Sequence, residues 1–250
     1  MRTLFVTLLN LLSIYFISCS SPATPPVPAA PVEKKPAPHE QAVLRQIDSL
    51  KEIAQDGDLI TRANDNIVSY HLKNFNEKDK SFSHAGIIVT RNGQKLVCNI
   101  DANDVKGLDT VRYDPIDSFL NPVDNSLCAL FRYELSETEK TDFIKEINGF
   151  HDKRVHFDRV FDLNTDSLLY CSEMIAKSMK KATHGRILFT GKPLPKEMIP
   201  LLIIYFDKIM PDDKVRRLLK TRRYIAIDHL YLVPGCKELM RFKLKYFPGE

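Results

Sequence analysis

Apolar residues recur at helical spacing in two long segments of the chain, residues 39–55 and 136–150. This period places the apolar side chains on one face, so both segments are predicted to be amphipathic helices. In the second segment, Ser136 and Glu139 stand in the register of a capping box, which predicts where that helix begins. The apolar positions are Val43, Ile47, Leu50 and Ala54 in the first helix and Phe143, Ile144, Ile147 and Phe150 in the second.

The chain between and after these helices carries strand signals. The β-branched run from Ile87 to Thr90 leads into Asn92-Gly93, a pair typical of tight hairpin turns, and residues 95–101 form the natural returning strand. The apolar run at 196–209 stays ambiguous, because Pro200 fits the first turn of a helix but not its interior. Further strands are predicted at residues 58–63, 109–115, 126–135, 185–191 and 222–235, and a short helix at 67–72. A hairpin-rich sheet with helices before and after it indicates an α+β fold.

The N-terminus carries a targeting signal. Arg2 precedes an apolar run, Leu4 to Ile17, that suits a signal-peptide core and is too short to span a bilayer as a stable helix. The small residue before Cys19 makes this junction resemble the lipobox of bacterial lipoproteins, in which the cysteine is lipid-modified; a plain secretory signal is the alternative. Ser20 stands where the inner-membrane retention signal has Asp, so we expect an outer-membrane lipoprotein of the bacterial cell envelope. The expected parts are a signal peptide at 1–18, a lipid-modified Cys19 with a Pro- and Ala-rich tether at 19–38, and one folded domain at 39–250.

Charge and cysteine content limit the partners. The formal net charge is +4, and the one dense basic run, Lys214–Arg223, is predicted to be a solvated helix face, so no nucleic-acid partner is expected. An exported chain meets an oxidising compartment, where Cys98, Cys128, Cys171 and Cys236 allow up to two disulfides whose pairing stays open. The spacing of Cys and His residues points to no metal site, and no metal or cofactor is expected.

Three residues have the side chains that thiol acyl-transfer chemistry needs. Cys171 lies near the start of a predicted helix at 167–182, where free backbone N–H groups favour a thiolate. His84 begins the strand that precedes the hairpin, and Asn99 lies on the returning strand. A cysteine, a histidine that takes its proton and an amide that orients the imidazole together make a catalytic triad. Taken singly, Cys171 also fits an inert core thiol, since it shares an apolar stripe with Ile175.

Four short motifs, "DGDLI", "SFSHAGI", "FDRVFD" and "LLYCSEMI", resemble those of the circularly permuted papain-like amidases of the YiiX type, which are relatives of the NlpC-type cell-wall peptidases. The resemblance covers residues 56–182. It implies a permuted papain-like (NlpC-type) fold, in which an antiparallel sheet packs against the cysteine-bearing helix. It further implies Cys171 as nucleophile, His84 as general base and Asn99 as the third member, with Asp101 as the alternative.

Neighbouring residues are weaker candidates. Asp158 lies in the "FDRVFD" motif, while Tyr170 and Glu173 flank the cysteine, so all three are candidate substrate-binding residues. Each also has a structural interpretation, as a loop anchor, a packing residue or a helix cap. His156 is a rival base that lies outside the matched motifs.

The resemblance and the leader together predict an envelope lipoprotein that hydrolyses an amide through an acyl-enzyme, with a peptidoglycan-related peptide as substrate. Two alternatives stay open. Other permuted relatives transfer fatty acyl groups, so a lipid substrate would suit a chain anchored to a membrane by its own lipid. The chain is alternatively a lipoprotein that binds an envelope ligand without turning it over.

Overall fold

A six-stranded antiparallel sheet lies at the centre of the computed structural model, which describes residues 37–102, 109–206 and 212–245. The predicted signal peptide, Cys19 and most of the tether lie outside these residues. The strands of the sheet are β1 (Leu59–Asn64), β2 (His84–Arg91), β3 (Gln94–Asn99), β4 (Arg112–Pro115), β5 (Asn125–Tyr133) and β10 (Cys236–Lys243). Their order across the sheet is β10-β5-β1-β2-β3-β4.

Helices and short strand pairs complete the chain. The helices are α1 (Pro38–Ile53), α2 (Ile67–Leu72), α3 (Ile116–Phe119), α4 (Glu137–Asp152), α5 (Cys171–Ala182), α6 (Ile199–Phe206), α7 (Asp212–Thr221) and α8 (Ile227–Tyr231). The short strands are β6 (His156–Phe157), β7 (Leu168–Leu169), β8 (Lys192–Pro193) and β9 (Arg223–Tyr224). Two 3₁₀ turns lie at Lys73–Phe75 and Lys196–Met198. No helix among the described residues has both the length and the apolarity needed to cross a membrane.

The two faces of the sheet are covered by different helices. On one face, α1 and α3 pack on side chains such as Ile60, Ile88 and Val97. On the other face, α4, α5 and α8 pack on Ile87 and Phe131. The predicted α+β fold, with an antiparallel sheet against the cysteine-bearing helix, is confirmed.

Local signals account for several boundaries. The β2–β3 hairpin turns at Asn92 and Gly93, whose φ angles of +50° and +77° lie in the left-handed region that Asn and Gly tolerate. The predicted capping box of α4 is present, because Ser136 Oγ accepts from the Glu139 N–H while the Glu139 carboxylate accepts from the Ser136 N–H. The basic run forms α7 with Leu219 buried and Lys214 and Arg217 exposed, as predicted.

Two predicted strands are wrong. Residues 185–191 contain no strand, although Ile187 is buried in the core beside α5. Residues 222–235 contain only the two-residue β9 and then α8, because Ile227, Leu230 and Tyr231 bury one helical face. Tertiary contacts fix α8 in place: one carboxylate oxygen of Asp228 accepts hydrogen bonds from three consecutive backbone N–H groups of residues 77–79. The ambiguous run at 196–209 forms α6, with Pro200 in its first turn.

Candidate active site

Cys171 is the first residue of α5, so its thiol lies among the unpaired N–H groups of a helix N-terminus. Tyr170 is the N-cap, and its backbone N–H donates to the Glu173 carboxylate. The thiol is buried, with 8% of the residue exposed, and accepts hydrogen bonds from the backbone N–H groups of Ala85, Ser172 and Cys171 itself. Ala85 directly follows His84, so the structure brings the start of β2 to the start of α5.

Two small residues after His84 leave space for close neighbours on the two faces of β2. Successive residues of a strand point to opposite faces of the sheet. Ala85 faces the core shared with Cys171 and Met174, where its short side chain lets α5 come close. Gly86 faces the other side, and a Cβ added there would lie 2.4 Å from a Val97 methyl and 3.2 Å from the Asn99 Cβ. The missing side chain of Gly86 therefore leaves the space that Asn99 occupies.

His84 and Asn99 form a buried hydrogen-bonded pair. The distance between His84 Nε2 and Asn99 Oδ1 is 3.1 Å, and Asn99 is fully buried. The His84 ring also packs beside the ring of Phe119, with 5.6 Å between their centroids. Asp101, the alternative third member, instead pairs with Arg62, at 3.4 Å between Oδ2 and Nη2.

Burial keeps Cys171 and His84 neutral. It raises the pKa of Cys171 to about 11, against the opposing effect of the N–H groups at its thiol. Burial also lowers the pKa of His84 to about 4, although the negative charge of Asp101 acts in the other direction. The sequence predicted that the helix N-terminus would favour a thiolate. The structure reverses that prediction for the resting protein, because loss of solvent outweighs the helix N–H groups.

All four cysteines among the described residues are free thiols. Cys98 and Cys128 lie on opposite faces of the sheet, in the two separate cores. Cys171 is therefore not held in a disulfide in this structure, so its sulfur can ionise to the thiolate, which is the nucleophilic form.

The three predicted substrate-binding residues all have partners within the protein. Asp158 is fully buried, and its carboxylate accepts from the backbone N–H groups of Val160 and Asp162, as in a loop anchor. The Tyr170 hydroxyl accepts from the backbone N–H of Ile225 at 2.8 Å.

Glu173 is fully buried, and its carboxylate lies 2.9 Å from Lys177 Nζ. Burial raises the pKa of Glu173 to about 8 despite this ion pair. The rival base His156 is exposed, with Nδ1 3.2 Å from the Asp109 carboxylate.

Sequence reasoning missed a set of charged residues on the His84 face of the sheet. Asp114 accepts from the Asn99 amide at 2.8 Å and from Arg112 Nε at 3.1 Å. Arg62 lies directly opposite His84 in the register of β1 and β2, and its guanidinium stacks on the Phe119 ring. The strand that carries Asp114 was predicted at residues 109–115. The sequence did not predict which strand lies beside it in the sheet, so the contact with Asn99 was not foreseen.

A thiol at a helix N-terminus, an imidazole on the adjoining strand and an amide that orients the imidazole are the components of a papain-like thiol hydrolase. The model of the family described as "Permuted papain-like amidase enzyme, YaeF/YiiX, C92 family" matches residues 54–190. The chain belongs to this permuted papain-like amidase family.

A solved structure supports the same fold. The crystal structure of YiiX from Escherichia coli O157:H7 superposes with a TM-score of 0.59 over 76% of this chain and 98% of that chain, at 18% sequence identity. A search among curated proteins returned no match. The YiiX structure is described as that of a metalloprotein. In the part of this chain that the structure describes, no group of three His, Cys, Asp or Glu side chains is arranged to hold a metal ion, so the residues do not fit that description.

Proposed function

We propose that this protein hydrolyses an amide through an acyl-enzyme on Cys171, with His84 as general base and Asn99 as the residue that orients it. The hydrogen bond between His84 and Asn99, formed where β2 meets the thiol of Cys171, is the observation that carries this proposal. Membership of the permuted papain-like amidase family supports a cysteine hydrolase as the class.

Because Cys171 and His84 are both neutral at rest, the proton transfer between them accompanies the attack on substrate. As sulfur attacks the amide carbonyl, the thiol proton moves from Cys171 to His84, and the carbonyl oxygen becomes an oxyanion. The backbone N–H groups of Cys171 and Ser172, which donate to the resting thiol at the start of α5, would stabilise this oxyanion as negative charge leaves the sulfur. His84 then gives the proton to the leaving amine, and the C–N bond breaks to leave a thioester. Water, deprotonated by His84, hydrolyses the thioester to a carboxylic acid and restores the thiol.

We further propose that the substrate is a peptide of the bacterial cell wall, and that the protein acts in the envelope, anchored to the outer membrane through lipid on Cys19. The leader pattern of residues 1–19 and the likeness to NlpC-type cell-wall peptidases support this location and substrate class. Asp158, Tyr170 and Glu173 flank the cysteine helix in sequence and stay candidates for substrate contact, although all three are buried in the structure.

The direct test is to trap the acyl-enzyme. The full-length protein is mixed with peptidoglycan stem peptides, quenched in acid and analysed by intact-mass and peptide mass spectrometry for an acyl group on Cys171. We expect an adduct with wild type, none with Cys171→Ala, and an adduct that forms at least about 100-fold more slowly with His84→Gln. Cys128→Ala, which removes a buried thiol from the opposite face of the sheet, is the matched control and should keep the adduct.

Parallel reactions separate the alternatives. An adduct formed only with fatty acyl esters would replace the amidase proposal with fatty acyl transfer. Retention of stem peptides without any covalent adduct would support a binding lipoprotein instead. An adduct that persists in Cys171→Ala would contradict the assignment of the nucleophile.

A further inference from the structure

The amide of Asn99 is held from the side opposite to His84. Its Nδ2 atom donates to Asp114 Oδ2 at 2.8 Å and to the backbone carbonyl of Val97 at 3.3 Å. Asp114 is in turn held by Arg112, whose Nε lies 3.1 Å from the same carboxylate oxygen. Asp114 and Val97 face each other across β4 and β3, so the strand pairing itself brings the carboxylate to Asn99.

This contact decides which end of the amide faces His84. A carboxylate and a carbonyl can only accept hydrogen bonds, so the NH₂ end of Asn99 must point to Asp114 and Val97. The oxygen end then faces His84, and it too can only accept. His84 Nε2 must therefore carry the ring proton, which leaves Nδ1 without a proton and able to accept one.

We propose that Asp114 is a positioning residue that fixes the Asn99 amide and, through it, the Nε2–H tautomer of His84. This inference rests on the proposed function, since a fixed tautomer serves catalysis only if His84 takes the proton of Cys171. Asp114 acts through Asn99 and has no covalent part in the reaction. If the amide flipped, its NH₂ group would face Nε2, and the proton would move to Nδ1, the nitrogen that accepts the thiol proton in the proposed function.

NMR of the full-length protein labelled in histidine and asparagine tests this directly. Near neutral pH, wild type should show the His84 ring in the Nε2–H form alone, with a hydrogen-bonded, slowly exchanging Nε2 proton. Asp114→Leu has nearly the same size but no acceptor, so the Nδ1–H form should appear and the Nε2 proton should exchange faster. Acylation of Cys171 should slow by at least about 10-fold.

Asp114→Asn is the matched control, because its amide oxygen can still accept from Asn99. It should keep the Nε2–H tautomer and most of the acylation rate. If Asp114 had only a structural role, the tautomer and the acylation rate would instead change in both variants in proportion to the stability each one loses. A folded Asp114→Leu protein with the wild-type tautomer would overturn the proposal, as would an Asp114→Asn protein that loses the tautomer equally. The tautomer is read without substrate. A shifted tautomer in a protein that never forms an adduct would therefore refute the proposed function and not the positioning role.

Discussion

The ionisation of Cys171 is the most direct test of the resting site. Burial raises its pKa from an ordinary value of 9.0 to about 11. This difference corresponds to about 3 kcal/mol of added cost to form the thiolate, and to a thiolate fraction about 100-fold smaller than that of an ordinary thiol near neutral pH. Because the thiolate is the form that reacts, alkylation near neutral pH should be slower than for an ordinary thiol, by up to about the same factor from ionisation alone.

The assay is iodoacetamide alkylation of the full-length protein as a function of pH, read for each cysteine by mass spectrometry, with a small-molecule thiol as reference. We expect the Cys171 rate to rise steadily with pH from neutral towards the pKa of about 11, with no plateau below it. His84→Gln should leave this profile nearly unchanged, since His84 is neutral over that range. A rate plateau that indicates a pKa below about 8.5, and that His84→Gln abolishes, would show a resting thiolate–imidazolium pair and refute the reasoning.

Three further predictions follow from the same contacts. Gly86→Ala should destabilise the fold by about 1–3 kcal/mol in chemical denaturation, because the added methyl meets a side-chain atom at 2.4 Å. Gly149→Ala is the control and should not destabilise the fold, because a methyl added there in α4 meets open space. Equal losses of stability in the two variants would contradict the steric explanation. His84 has a pKa lowered to about 4 from 6.5, so its contribution to stability is present above pH 6.5 and is lost as the pH falls towards about 4. Relative to His84→Gln, wild type should lose about 3 kcal/mol over that interval, and parallel profiles would contradict the shift. Tyr170→Phe should cost about 1–3 kcal/mol by leaving the buried N–H of Ile225 without its acceptor, and an unchanged midpoint would show that the hydroxyl is dispensable for folding.

Local chemistry explains which elements were predictable. Asn92-Gly93 and the Ser136 capping box specify their turn and helix start within a few residues, so the β2–β3 hairpin and α4 were predicted correctly. The segment at 222–235 has strand-like alternation at Ile225 and Ile227, but contacts far away in the chain decide its structure, because the Asp228 carboxylate binds backbone near residue 78. No local pattern reports such a contact.

The edge strand β10 went unpredicted for a different reason. Among the described residues it pairs with β5 alone, and most of its side chains are exposed, so its polar sequence lacks the apolar alternation of a half-buried strand. Charged residues such as Lys237 and Arg241 are typical of an edge strand, where they discourage pairing with another chain. The polar sequence of β10 therefore fits an exposed edge strand.

The candidate site likewise contains residues that the sequence indicated and properties that only the assembled fold determines. The family motifs indicated His84, Asn99 and Cys171 from the sequence alone. The expectation of a thiolate at Cys171 was wrong because the pKa of the thiol depends on burial, which is a property of the assembled core. Asp114 was missed because its role follows from the pairing of β4 with β3, and no spacing along the chain encodes that pairing.

The charges around Cys171 and His84 bear on the proposed reaction. Asp101 raises the pKa of both His84 and Cys171, so it favours the imidazolium and opposes the thiolate. Arg62 lowers the pKa of His84, and its positive charge attracts a thiolate at Cys171. The two effects oppose each other, so neither reacting group is ionised by its surroundings, and burial leaves both neutral. In the proposed mechanism, proton transfer becomes favourable when negative charge passes from sulfur to a substrate carbonyl at the N-terminus of α5, where backbone N–H groups would receive it. On that proposal, reactivity depends on bound substrate, and the buried thiol is protected from adventitious electrophiles.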